Sequence, residues 1–214
     1  MDIVPARRRK EARPAEIGAA ALELFVDKGF AATRLDDVAE RAGVSKGTIY
    51  LYFDSKEALF KAAIEAAMTP VVEAAEALAN DAGRPAADLL CCFVDGWWRM
   101  VGSTALGGLP KLLVAESRNF PEIAHWFHDS MIRRAQKAMA RIIAMGCARG
   151  EFRPVDADIS ARVFFAPMFS YVLWTRAFDP TVCDLPPPER FFKEALDLLI
   201  HGLAVPHSIQ ESRS

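Results

Sequence analysis

Between Thr33 and Phe53 the segment TRLDDVAERAGVSKGTIYLYF carries two apolar stripes, each about two helical turns long, on either side of Gly43 and Val44. Leu35, Val38, Ala39 and Ala42 form the first stripe, and Ile49 and Phe53, four apart, form the second. Helices this short cannot stand in water, because nucleation costs more than a few backbone bonds return. They must dock on something. The preceding residues supply a partner: Ile17, Ala20, Ala21, Leu24 and Phe25 mark one face of a helix expected from Pro14 to Gly29, with proline tolerated in its first turn and glycine suited to its stop. Thr33 and Asp36 have capping-box spacing and predict the start of a second helix, which Gly43 ends. Ser45 is placed to cap a third helix over Lys46 to Phe53, and Asp54 with Glu57 repeats the capping spacing ahead of a fourth through Leu59, Ala63, Ile64 and Ala67. Pro70 then predicts either a bend in that helix or a boundary between two.

After residue 80 the texture changes. Asn80, Asp81, Gly83 and Pro85 make a break; the rest reads as helices over Leu89 to Met100, Leu109 to Ser117, Ile123 to Ala148, Ala157 to Ala177 and Phe191 to Leu203. Nine helices without a persistent alternating pattern predict an all-α fold, a three-helix N-terminal module in front of a larger helical bundle. With 214 residues, 52% of them hydrophobic, the chain is long enough to bury such a core. No apolar run approaches the length of a membrane span, no secretory leader is recognisable, and Cys91, Cys92, Cys147 and Cys183 lack zinc-module spacing, so a soluble chain in the reducing cytoplasm is expected.

Two short helices joined by a tight glycine-containing turn, backed by a third, form a helix-turn-helix. The second of such a pair can enter a DNA major groove when its inner residues hold it to the module and its outer ones face base edges. Ile49 and Phe53 are the inner anchors, which leaves Lys46, Gly47, Thr48, Leu51 and Tyr52 outward, with phenolic donors at Tyr50 and Tyr52 and an ammonium at Lys56 for phosphates. Tyr50 has a second reading, as a ring that chiefly packs the module. The net charge of −2 hides a local excess at Arg7, Arg8, Arg9, Lys10 and Arg13, either a phosphate-seeking arm or a solvated leader. Three-helix cores also dock proteins, and periodicity alone leaves that alternative open.

The stretch GFAATRLDDVAERAGVSKGTIYLYFDSKEALF resembles the N-terminal DNA-binding domain of the TetR/AcrR family of bacterial transcriptional regulators. The likeness lies in the order and spacing of Gly29-Phe30, Thr33, Val38-Ala39, Ala42-Gly43-Val44-Ser45, Gly47-Thr48, Tyr50, Tyr52-Phe53, Lys56-Glu57 and Leu59-Phe60, and it covers roughly residues 14–61. The resemblance implies that the third helix reads a DNA operator, with Lys46, Gly47 and Thr48 near the bases and Leu51 close to the groove floor. It implies phosphate contacts for Thr33, Ser45, Tyr50, Tyr52 and Lys56, and a flexible basic arm at Arg7 to Lys10. The module is then residues 1–56, and residues 57–214 form a ligand-binding and dimerisation domain. The segment LLVAESRNFPEIAHWFHDSMIRRAQ resembles one AcrR-like branch more weakly.

One half-site contact is weak at physiological salt, so a homodimer on a palindromic site is expected. Its candidate surface is the last two long helices: Phe164, Phe165, Met168, Tyr171, Val172 and Trp174 on one, Phe191, Phe192, Leu196, Leu199, Ile200 and Leu203 on the other. Large apolar groups crowd the middle of the chain, and the family's C-terminal domain usually holds an inducer. Phe93, Trp97, Trp126, Phe165 and Phe169 are the candidate lining of a pocket for a hydrophobic or aromatic effector. Glu116 and Arg118 read as a capped corner between helices, and Arg99 as either a carboxylate partner or a solvated residue. His125 and His128 with Glu122 and Asp129 are a weak metal motif. No catalytic constellation, no cofactor loop and no metal site is expected. The reading is a ligand-responsive repressor; its alternatives are a non-inducible DNA binder with a filled core, and a protein-docking module.

Overall fold

The computed structural model describes residues 6–179, 181–182 and 184–204, with side chains from Arg13 onward; Cys183 lies outside the described residues. Ten α-helices follow in chain order: α1 (Ala6–Lys28), α2 (Leu35–Arg41), α3 (Lys46–Tyr50), α4 (Lys56–Ala79), α5 (Ala86–Trp97), α6 (Leu109–Glu116), α7 (Pro121–Phe127), α8 (Arg133–Ala148), α9 (Ala157–Ala177) and α10 (Pro188–Leu203). Among the described residues the only extended pairing is an isolated bridge between Phe152 and Ala204. The fold is all-α, as expected.

Glycine stops and serine caps fall where the sequence places them, with local corrections. Gly29 and Gly43 adopt φ of 90° and 63°, a left-handed conformation that ends α1 and turns α2 into α3. Ser45 caps α3 by accepting from the Thr48 amide. α2, by contrast, starts from Arg34 with no side-chain cap, and Ser55 rather than Asp54 caps α4. α3 ends at Tyr50, shorter than the expected run to Phe53. α1 begins at Ala6 with Pro14 inside it, so the backbone of Arg7 to Lys10 is helical instead of a separate arm; those side chains lie outside the described residues.

The tenth helix comes from the expected long one. α7 and α8 are separated by a π-helical turn, His128–Ile132, and a second π turn, Trp98–Gly102, follows α5. α4 runs unbroken through Pro70, which removes one backbone donor; Pro70 and Ala66 are both exposed, so water can satisfy the carbonyl left over.

Buried side chains form two clusters that meet along α4. The first joins α1 to α3 and the front half of α4 (Leu59, Phe60, Ile64, Met68) to Leu109, Leu112, Ile123 and Phe127 of α6 and α7. The second takes the back half of α4 (Ala75, Ala79) with α5 and α8 to α10. Thus α4 belongs to both. Arg134 on α8 donates two 2.9 Å bonds to the Glu76 carboxylate on α4, which holds that carboxyl below the usual glutamate range.

Close approach in the second cluster depends on Gly146. A Cβ at this α8 position would lie 2.4 Å from the Phe152 ring and 2.8 Å from the Ala86 methyl. Gly146→Ala is therefore expected to destabilise the fold by about 1–3 kcal/mol despite alanine's better helix propensity. Urea unfolding followed by circular dichroism measures the loss.

Candidate nucleic-acid interface

α3 is held to the module from one side only. Ile49 is fully buried beside Val38 and Ala39, and Phe53 packs against the same cluster. At 100° per residue Gly47 and Leu51 point away from Ile49, while Thr48 and Tyr50 flank that outer face. Leu51 is 79% exposed and Tyr50 52%. Ser45, Lys46 and Gly47 are exposed too, and Thr48 is half-buried. Leu51 thus presents an apolar surface of the kind that can meet thymine methyls or sugar edges in a groove.

Two internal contacts set this surface. The Ser45 and Thr48 hydroxyls lie 2.8 Å apart, so each orients the other. Lys46 Nζ reaches back 3.0 Å to Asp36 Oδ2 on α2, and Arg34 Nη2 lies 3.9 Å from the same oxygen. Tyr52 is half-buried with its ring 6.5 Å from Phe53.

Thr33 and Lys56 depart from their expected role as phosphate contacts. Thr33 is 2% exposed, and its hydroxyl donates to the carbonyls of Leu24 and Gly29 at the end of α1. Lys56 Nζ donates to the carbonyls of Phe30, Ala31 and Thr33 at 2.8, 3.3 and 3.1 Å and sits 4.5 Å above the Phe30 ring. Both close the loop between α1 and α2. The reason is local: a chain that turns sharply between two helices leaves carbonyls without helical partners, and these two side chains satisfy them.

Sequence reasoning passed over two residues that matter here. Asp36 was read only for its capping spacing. Glu116, read as a capped corner, accepts a 2.9 Å bond from the Ala31 amide across 85 residues, beside a 4.7 Å edge-to-face contact of Phe30 with Phe120. These ties join α6 to the loop that carries the helix-turn-helix. No local pattern announces either.

The five expected effector residues do not share one pocket. Phe93 and Trp97 line an apolar cleft of about 40 Å³ between α4, α5 and α8, with Val71, Ala75, Leu78 and Met100. Phe165 lies behind it, edge-on to Phe93 at 5.7 Å. Trp126 packs instead in the first cluster, with Lys61 Nζ 5.7 Å from its ring, and Phe169 is 41% exposed on α9. A helix with apolar groups all round sends them to different neighbours, and spacing does not tell which.

The same holds for the expected dimer surface. Phe164, Met168, Tyr171, Val172, Phe192, Leu196 and Leu203 are buried in the protein's own second cluster or beside it. Ile159, Val163 and Trp174 on α9 and Leu198 on α10 face outward, each between 46% and 66% exposed. Among the described residues no group of three His, Cys, Asp or Glu side chains is placed to hold a metal ion; His128 instead pairs with Asp129 at 3.0 Å. No described helix is long and apolar enough to cross a membrane.

A helix-turn-helix whose second helix is bare, mounted on an all-α body, defines a DNA-binding transcriptional regulator. Residues 17–63 match the family model for bacterial regulatory proteins of the tetR family, and residues 79–185 match the tetracyclin repressor-like C-terminal domain. The HTH-type transcriptional regulator YfiR of Bacillus subtilis (strain 168) is 30% identical over 164 residues, covering 76% of this chain and 78% of YfiR. The chain belongs to the TetR family of transcriptional regulators. Two solved structures share its fold. One is SmeT, the repressor of the Stenotrophomonas maltophilia multidrug efflux pump SmeDEF: TM-score 0.72, 22% identity, 92% of each chain covered. The other is FadR of Bacillus subtilis in complex with stearoyl-CoA: TM-score 0.69, 19% identity, 88% of this chain and 98% of FadR covered.

Proposed function

We propose that the protein is a homodimeric repressor whose α3 reads a palindromic operator and whose effector, an apolar small molecule or acyl chain, binds in the cleft between α4, α5 and α8. Lys46, Gly47, Thr48, Tyr50 and Leu51 read or line the groove, while Ser45 and Tyr52 steady the backbone contact. The operator-reading module runs through Lys56, and the rest forms the effector and dimer body, with α4 shared between them. The observation that carries this reading is the span of α4: Lys56 at its start is bonded to the α1–α2 loop, and Val71 to Leu78 near its end line the cleft.

At about 40 Å³ the cleft holds only a water or two, whereas ligand sites run to hundreds of cubic ångströms. An effector that enters must part α4 from α5 or α8. Because α4 also carries Lys56, parting it displaces the loop of the reading module, so the effector binds the DNA-incompetent state more tightly than the DNA-competent one, without which no ligand shifts an operator equilibrium. The FadR complex with stearoyl-CoA makes acyl-CoA a rational first probe, and the pump control by SmeT makes aromatic xenobiotics a second.

The test begins with duplexes enriched by the protein from a random library, followed by titration of acyl-CoA thioesters and aromatic compounds against the bound complex. Release by one class at micromolar concentration is the expected result; enrichment of no sequence sinks the reading. On the enriched duplex Thr48→Ala should change the ranking of operator variants by about tenfold at one or two positions. The small cleft favours a second reading, a regulator with a filled body that no small molecule releases. A negative screen with intact operator binding would select it.

A further inference from the structure

From Arg13 to Lys56 the helix-turn-helix module is almost self-neutralised. Residues 13–56 hold six cations and seven acids. Four of those cations are paired with carboxylates: Lys28 with Asp37, Arg41 with Glu23, and both Arg34 and Lys46 with Asp36. The fifth, Lys56, is spent on the carbonyls of the α1–α2 loop. Apart from Arg13 and the basic run Arg7 to Lys10, such a surface has little to offer a phosphate backbone, which is where sequence-independent affinity comes from.

Asp36 stands apart from the other acids. It is half-exposed, and its carboxylate lies against the first residue of the recognition helix, not on the far side of the module. Asp37, its neighbour, also places a negative charge in the first turn of α2 and pairs with Lys28. The helix therefore has its terminal charge without Asp36, and an ion pair this open to water adds little stability. What Asp36 does change is the state of Lys46 and Arg34 before DNA arrives.

We propose that Asp36 is a specificity-determining residue, an internal counter-ion that holds Lys46 and Arg34 back from indiscriminate phosphate contact. The proposal rests on the reading that α3 enters the groove. A duplex of arbitrary sequence must replace the carboxylate with a phosphate oxygen, an exchange of like for like that also brings Asp36 toward the negative backbone. A base-edge acceptor at the right register is neutral, so Asp36 does not repel it as it repels a phosphate, and the ammonium's three donors let Lys46 bond the base while it keeps the carboxylate. Asp36 thus lowers affinity for all DNA and lowers it most where no base acceptor waits, which widens the ratio between operator and bulk DNA.

The test compares Asp36→Asn with the parent protein on two probes, a 30-bp duplex of random sequence and the duplex enriched by the parent, across about 50–200 mM salt. The random duplex is expected to bind about fivefold more tightly, with a salt slope steeper by about one, while the enriched duplex gains less than half of that factor. In the double variant with Lys46→Met most of the gain on the random duplex should vanish. Equal gains on both probes, or no gain on either, would overturn the proposal. Asp36→Ser, which also suits a first helical turn, replaces Asp36→Asn if melting shows that the latter does not fold. Lys46→Met alone and the parent's enrichment separate the two levels: if the variant weakens the enriched duplex and Asp36→Asn changes nothing, only the proposal fails. If Lys46→Met leaves both probes unchanged, again only the proposal fails; if the parent enriches no duplex, the groove reading of α3 fails, and the proposal with it.

Discussion

Lys56→Met will cost the protein about 2–4 kcal/mol of stability and will weaken operator binding by loosening the module, not by deleting a phosphate contact. The ammonium serves three loop carbonyls at 2.8 to 3.3 Å and covers the Phe30 ring, and methionine keeps the stem but supplies no donor. A charged donor to a carbonyl is worth about 1.5–3 kcal/mol, and the contact with the ring adds about another 0.5–1 kcal/mol. A lysine that merely touched phosphate would behave otherwise: stability would hold and the salt slope would fall by about one. Urea unfolding, read beside the salt dependence of binding for the fraction still folded, distinguishes these outcomes. Because α4 starts at Lys56 and continues to the cleft, the variant should also bind DNA independently of any effector that the parent answers.

A charge on the outer face of α9 should have the second large effect. Val163→Glu combined with Trp174→Glu is expected to convert a dimer to monomers in sedimentation while leaving the melting temperature of the subunit within a few degrees. Val163 is 49% and Trp174 46% exposed in the single chain, so neither is needed for its core. Ile159, Val163 and Trp174 recur at four- and eleven-residue intervals and share one side of the helix, a strip that suits the self-complementary contact of a two-fold axis. Loss of the dimer separates two reading modules that had bound as one ligand, and operator affinity should fall by about a hundredfold or more at unchanged salt. The same pair of charges placed at Phe164 and Phe192 would instead unfold the bundle, since both are buried among their own neighbours.

Much of the recognition module was legible in one dimension. Gly29, Gly43 and Ser45 act through their own backbone or through residues three positions away, so their roles follow from local chemistry. Ile49 is buried because a helix of five residues has only one side to turn inward, and spacing decides which. Thr33 was misread for a related reason: its capping spacing is real, but two carbonyls at the end of α1 compete for the hydroxyl and win. For the cleft between α4, α5 and α8 the periodicity was no guide. Trp97 and Trp126 look alike in sequence, yet one lines the space between α4, α5 and α8 and the other packs behind the operator module.

The order of short helices, the glycine stops at Gly29 and Gly43, the cap at Ser45 and the helix that faces outward were determined by the amino-acid sequence alone, because these turns and stripes are settled within a few residues. Which lysine holds the loop, which acid shadows Lys46, how Glu116 ties α6 to the front of the protein and which side of α9 stays bare were decided only by tertiary structure. Those contacts join residues 10 to 85 positions apart. Their energies exist only once the helices have been brought together, and no local pattern encodes them.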